Sequence, residues 1–256
     1  MSSKVILLNE TVSINNEFRN LSGFEFSLQD FPTHDYDESI RLYSLHFSEI
    51  DNLEEIWNKG NTLIALINGA LNLYLKDIDN NLNISAACIT DPYLNTTLYS
   101  PASNKSFNWT YPFDENEFNK NVLETNFKPA NHFLNNIVNL SKDNTDVFEL
   151  LIFNSLDRNL TTLYKLYETV EYYFNKELKV KLSNGLSDFG IFKTNIRSFK
   201  QTANHGNYNI FQLLSYNVRH GRNENPENFK KMDLNEATSL IQNIISIYLQ
   251  LKYGIH

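Results

Sequence analysis

The sequence predicts an α+β protein, with a mixed strand and helix N-terminal half, residues 1–113, followed by an all-helical C-terminal half, residues 114–256. Two patterns carry that expectation. Through the first 50 residues apolar side chains recur at period two, the spacing of a half-buried strand. From about Asp114 onward they recur at three and four, the spacing of an amphipathic helix. Composition bounds the class: 256 residues that are 41% hydrophobic and 13% aromatic suffice for a packed core, and six prolines and eight glycines leave little room for linkers.

Taken in order, Phe24, Phe26 and Leu28, then Tyr43, Leu45 and Phe47, alternate as strands of an open or mixed sheet. Asp51-Asn52-Leu53-Glu54 starts a long helix that continues through Ile56, Trp57, Leu63, Ile64, Ile67, Ala70, Leu71, Tyr74 and Leu75. Gly60 and Gly69 lie inside it at a cost of about 1 kcal/mol each relative to alanine, so close packing against a neighbour is expected there. Leu82 to Thr90 reads as a strand, and Asp91 to Phe113 as loops with at most one short strand. Beyond these, Asp146 is placed to cap Val147, Leu150 and Leu151, and Asn159 to cap a helix carrying Leu160, Leu163, Tyr164, Tyr167, Val170 and Phe174. Asn184-Gly185 then breaks the chain.

Ile196, Phe199 and Ala203 form an apolar stripe beside a polar one of Arg197, Lys200 and Asn204, and His205-Gly206 supplies a stop. A further helix through Ile210, Leu213, Leu214, Asn217 and Val218 ends at Arg219-His220-Gly221. Arg222 to Met232, with Pro226, reads as a surface loop. Asp233-Leu234-Asn235-Glu236 is a capping box for a last helix carrying Ala237, Leu240, Ile241, Ile244, Tyr248 and Leu251.

The net charge of −8 argues against a protein that coats nucleic acid. It is unevenly spread, however: between Phe189 and Lys231 seven cations face two carboxylates, a local +5 that leaves −13 for the remainder. Such a patch permits phosphate contact, and equally suits a solvated face. Val5 to Leu8 is too short for a signal-peptide core, no segment approaches the roughly 20 apolar residues of a membrane helix, and Cys88 is the single cysteine. A cytoplasmic, reducing setting is expected.

There is no phosphate-binding glycine loop ending in Lys-Ser/Thr, no Gly-x-Ser-x-Gly elbow, no His-Glu-x-x-His and no paired-cysteine zinc pattern. The six histidines show no i, i+4 pair, so neither a metal nor a cofactor is expected. What remains is Arg219-His220-Gly221. Histidine takes and gives protons near neutral pH, and an adjacent arginine holds a phosphate or stabilises charge developing on it. With Lys200 and Arg197 nearby, the set suits metal-independent cleavage of RNA by its own 2′-hydroxyl. The same residues also suit a plain helix ending, where cations meet the C-terminal dipole. Glu168 is placed to pair with Lys165 or reach Arg219, and Asn204 to bind substrate or satisfy its own helix end.

LYKLYE at Leu163–Glu168, FKQTAN at Phe199–Asn204, VRHG at Val218–Gly221 and MDLNEA at Met232–Ala237 resemble the C-terminal signature of a widespread group of bacterial proteins. More remotely, a helical module with a polar Arg/His ending resembles HEPN domains, helical folds found in ribonuclease toxins and phage defence. Those domains place arginine and histidine four to six residues apart and complete the site across a homodimer. Here Arg219 and His220 are adjacent, and only Lys200 to His205 has that spacing, with lysine in place of arginine. The resemblance implies a HEPN-like bundle that binds or cleaves RNA in phage defence or stress. Its catalytic residues would be His220, Arg219 and Lys200, with Arg197, Asn204, Glu168 and His205 contacting substrate. Two other expectations stand beside it: a non-enzymatic dimerisation module, and a small-molecule sensor walled by Trp57, Trp109 and Phe107.

Overall fold

Strand β1, Val5–Asn9, is the middle of a five-stranded antiparallel sheet in the order β2-β3-β1-β4-β5, with β2 at Ser27–Pro32, β3 at Glu38–Tyr43, β4 at Ser85–Thr90 and β5 at Thr97–Tyr99. The computed structural model describes residues 4–9, 21–23, 25–32, 38–48, 50–75, 84–91, 96–101, 107–113, 132–204 and 231–255. The registers Leu28↔Leu42, Leu42↔Ile6 and Ile6↔Ile89 align four side chains across four strands. All four are fully buried. Because side chains alternate between faces, that row is the floor of a core.

Helix α1, Leu53–Leu75, covers this row. It starts where the sequence places it, since Asn52 Oδ1 accepts the N–H groups of Glu54 and Glu55. A Cβ built on Gly60 would stand 1.9 Å from Ile6 Cδ1, so the helix backbone lies directly against the middle strand. That is the close packing expected of this glycine. On the same helix Asn68 holds Ile84 from both sides, donating to its carbonyl at 2.8 Å and accepting its N–H at 3.0 Å. Nearer the start of the helix, Asn58 Oδ1 and Thr62 Oγ1 accept the N–H groups of Asn108 and Thr110.

One expected strand ends early. Tyr43 closes β3, and Leu45–Phe47 is a 3-10 turn rather than extended chain, because Ser44 Oγ accepts the His46 N–H and folds the backbone over. Phe47 still points into the core. Phe24 and the start of the expected Leu82–Thr90 strand lie outside the described residues, and among the described residues from Asp91 to Phe113 β5 is the one short strand.

The C-terminal half is helical, with α2 at Phe133–Asp143, α3 at Thr145–Asn154, α4 at Leu160–Tyr173, α5 at Lys193–Asn204 and α6 at Leu234–Tyr253. It is not all-helical: strands β6, Gly185–Leu186, and β7, Ile191–Phe192, pair as a small hairpin between α4 and α5. Two of the three expected caps are present, Asn159 accepting from Thr162 N–H and Asp233 forming a reciprocal capping box with Glu236. Asp146 lies in the first turn of α3 rather than before it, where its charge suits the helix dipole.

The chain divides into two units, one made of residues 1–71 with 82–148 and the other of 72–81 with 149–256. Helix α2 belongs to the first, tied to it by Asn135 Nδ2 donating to the Ser22 carbonyl at 2.8 Å. In the second, Tyr173 and Phe174 pack on Tyr248 of α6, and Asn72 Nδ2 donates to the Asn154 carbonyl. Among the described residues no helix is long and apolar enough to cross a membrane.

Alanine at position 60 gains helix propensity but must displace the buried Ile6. Gly60→Ala is therefore expected to destabilise the first unit by about 1–2 kcal/mol, within the usual range for overpacking. Ile6→Val removes the colliding Cδ1, so adding it to Gly60→Ala should recover part of the loss; urea midpoints of the two variants measure this. An unchanged midpoint for Gly60→Ala would refute the contact.

Candidate functional site

Helix α5 is positioned by the hairpin before it and the tyrosines beneath it. Asn195 Oδ1 accepts the Phe192 N–H at 2.9 Å and so fixes its first turn. Ile196, Phe199, Thr202 and Ala203 are buried. Phe199 stacks on Tyr164 at 6.2 Å and leans on Tyr167 at 5.6 Å, both from α4. Helical geometry then turns Lys193, Arg197, Lys200 and Asn204 to the other side, at i, i+4, i+7 and i+11. Lys193 and Arg197 are exposed, and Lys200 and Asn204 half-buried.

Lys200 does not project alone. Its Nζ lies 3.9 Å from Glu171 Oε2 and 5.2 Å from the centre of the Tyr167 ring, while the Tyr167 hydroxyl donates to Glu171 Oε1 at 2.6 Å. Burial pushes the Tyr167 phenol far above its ordinary pKa, and the hydrogen bond and charge of Glu171 push it further. Tyr167 therefore stays a neutral donor and serves as neither base nor nucleophile. Its role is to hold one oxygen of Glu171 while the other faces Lys200. Glu168, expected to orient Arg219, is exposed on α4, where its charge adds to the rise at Tyr167. Glu171 escaped the sequence reading, although its i+4 relation to Tyr167 is a usable signal.

Three expected site residues, His205, Arg219 and His220, lie outside the described residues. The described chain on either side of them meets at the end of α5. Met232 N–H donates to Thr202 Oγ1 at 3.1 Å, two residues from Asn204. Asn204 Oδ1 is buried and takes no hydrogen bond from any described residue, which leaves an acceptor at that same end.

A second polar cluster, built in the first unit, was invisible in the sequence. The Glu25 carboxylate accepts from His46 Nε2 on one oxygen and from Lys142 Nζ of α2 at 3.1 Å on the other. Ser44 Oγ donates to the Glu25 carbonyl at 2.7 Å, and the His46 ring meets Phe113 edge-on at 5.5 Å. Glu25 and His46 are both buried. Burial alone pushes the Glu25 carboxyl up, but the hydrogen bond and charge of His46 and then those of Lys142 outweigh it and hold it below its ordinary value of 4.5. Of the aromatics expected to wall a ligand pocket, Trp57 is buried against Tyr99, whereas Trp109 is 53% exposed beside Phe107. Among the described residues no group of three His, Cys, Asp or Glu is arranged to hold a metal. No family model, curated protein or solved structure matches the chain.

A carboxyl held low in the fold contributes stability that is complete above its unfolded pKa and is lost as pH falls through the lowered folded value. Glu25→Gln is therefore expected to cost about 2 kcal/mol at neutral pH. The gap between wild type and variant should close on acidification below 4.5. Denaturation midpoints from neutral pH downward test this, and a gap independent of pH would refute it.

Proposed function

We propose that this is a cytoplasmic bacterial RNA-binding protein whose C-terminal unit is HEPN-like, acts as a homodimer and cleaves bound RNA without a metal, in phage defence or stress. The observation that carries the reading is the cationic face of α5, Lys193, Arg197 and Lys200, ending where the described chain on both sides of Arg219 and His220 meets. Charge balance supports it. The first unit has 8 Lys and Arg against 18 Asp and Glu, the second 14 against 12, together the 22 and 30 of the chain. Phosphate is repelled by the one and tolerated by the other.

In this reading Lys193 and Arg197 take backbone phosphates, and Lys200 offers a charge whose direction Tyr167 and Glu171 set. Asn204 serves as a positioning amide at the end of α5, His205 adds a substrate contact, and Glu168 orients Arg219. His220 removes the proton of a 2′-hydroxyl, whose oxygen attacks the adjacent phosphorus. The P–O5′ bond breaks, the leaving oxygen takes a proton back from His220, and the products are a 2′,3′-cyclic phosphate and a 5′-hydroxyl. Arg219 stabilises the charge gathering on the phosphoryl oxygens.

A second reading has one observation in its favour. Phe189 and Phe192 of the hairpin are 41% and 57% exposed, as on a surface that meets another protein. The basic residues would then serve a helix junction or dimer interface, with no chemistry.

Incubating the protein with cellular RNA in EDTA separates the two. Wild type should produce fragments, His220→Ala and Arg219→Ala none while remaining folded, and Lys193→Ala with Arg197→Ala fewer at a given salt. Intact RNA in every lane overturns the nuclease reading and favours the interaction module. Fragments with His220→Ala overturn the role given to that residue.

A further inference from the structure

The second unit carries further cations at the C-terminal ends of α4 and α6. After Tyr173 the chain widens into a π-helical turn, Phe174–Leu178, which buries Phe174 against Tyr248 and turns Asn175, Lys176 and Glu177 outward. Lys179 and Lys181 follow, both exposed, and Lys252 at the end of α6 joins them through Glu177, which lies 3.4 Å from Lys252 Nζ and 3.7 Å from Lys176 Nζ. Glu177 thus meets two ammonium groups, with Lys179 and Lys181 exposed just beyond it in the chain. Lys179 Nζ donates to the Lys176 carbonyl at 2.7 Å, a bond that leaves its charge uncompensated.

Two features distinguish this surface from an ordinary solvated helix end. The first is conformational. Lys179 sits at φ 58, in the left-handed region, where a lysine is strained and glycine is not. Helix α6 ends in the same conformation at φ 68, and there the residue is Gly254. At the end of α4 the chain retains a cation where the cap geometry favours glycine, and strain kept in this way marks a position where the side chain matters. The second is aromatic. Tyr172 is 56% exposed, its ring set edge-on to the buried Tyr173 at 5.1 Å, and Tyr173 is itself fixed by donating to Glu149 at 2.8 Å. Lys176 Nζ lies 5.6 Å from the centre of the Tyr172 ring. A rigidly propped, half-exposed ring next to an excess of ammonium groups is the combination that single-stranded nucleic acid requires, with a base on the ring and phosphates on the lysines.

We infer that Lys176, Lys179, Lys181 and Lys252, with Tyr172, form a second RNA contact that selects single strands over duplex. The inference rests on the RNA reading above and adds to it the form of RNA that is bound. In a duplex the bases are stacked on one another and offer no face to Tyr172, so duplex gains only the phosphate contacts.

The test is fluorescence anisotropy of the full chain with a labelled 2′-O-methyl oligouridylate of about 12 nucleotides, within the footprint of single-strand binders and resistant to cleavage. A duplex of equal length serves as competitor, and the titration is repeated across a range of KCl. Wild type should prefer the single strand. Lys176→Gln with Lys179→Gly and Lys181→Gln should reduce the slope of log affinity against log salt by about 2, three single-strand phosphate contacts at roughly 0.7 each. Tyr172→Leu should weaken the single strand about fivefold or more and leave the duplex unchanged. Lys179→Gly alone should melt no lower than wild type, which shows that its share of the loss is not unfolding. If Lys193→Ala with Arg197→Ala weakens binding while the triple variant and Tyr172→Leu match wild type, this surface is not used and the RNA reading survives. If wild type binds neither RNA, both fall. Tight binding to anionic phosphatidylserine vesicles in place of the oligonucleotide would overturn the choice of partner.

Discussion

The first unit depends on the contact between Gly60 and Ile6. With a helix backbone pressed against the middle strand of a sheet, side chains within about two turns of the contact come within reach of backbone that would otherwise need a strand neighbour. Asn58, Thr62 and Asn68 use that reach, meeting the N–H groups of Asn108, Thr110 and Ile84 and the carbonyl of Ile84. A bulkier residue at position 60 would lift the helix and loosen these bonds together. Each would then leave a polar group under-satisfied near a core, where hydrogen bonds are expensive to lose.

Asparagine makes up about one residue in seven, an excess that looks compositional and becomes structural. The amide carries a donor and an acceptor in the same relation as a peptide group, so a buried asparagine stands in for a missing strand or helix partner. Asn68 does this for β4. Asn135 does it for the Ser22 carbonyl, against a glycine at position 23 whose Cβ would come within 2.6 Å of the amide oxygen. Asn72 links the carbonyl of Asn154 to the guanidinium of Arg158, while Gln242 donates to its own carbonyl. Asn52, Asn159 and Asn195 accept N–H groups at or beside the starts of helices. Composition that looks neutral in a sequence is thus spent on satisfying backbone.

What could be read from the sequence follows the range of the interactions involved. The long helix, the caps at Asn52, Asn159 and Asp233 and the apolar faces of α4 and α5 are set by neighbours three or four residues away and are legible; so is that of α6 except at Leu251, expected to face inward but 46% exposed near the helix end. The turn at Leu45–Phe47 is also local, yet Ser44 overrides a pattern that reads equally well as strand. The units divide at Phe148/Glu149, inside α3, whereas the change in periodicity falls near Asp114. Periodicity reports that α2 has a buried face but not which neighbour covers it, and its partners are Ser22 and Glu25. The cluster of Glu25, His46 and Lys142 spans separations of 21 and 117 residues, so no spacing rule reveals it. In the candidate site the side of α5 was legible, but the carboxylate facing Lys200 was not. Choosing Glu171 over Glu168 takes the crossing of two helices.

That pairing bears on how Lys200 would meet a phosphate. Glu171 commits one oxygen to the Tyr167 hydroxyl at 2.6 Å and leaves the other 3.9 Å from the ammonium, at the outer limit of an ion pair. A half-exposed pair at that separation is worth little, because water screens it and two side chains must be held for it. The ring of Tyr167 keeps the lysine aligned whether or not Glu171 retains it. If RNA binds here as proposed, its phosphate would displace a weak partner and leave the Tyr167–Glu171 bond intact, so the lysine would be oriented beforehand at small electrostatic cost. A lysine clamped by a close, buried carboxylate would have to give up that bond to bind the same anion. In the proposed reading, this loose geometry would leave the Lys200 charge open to a ligand.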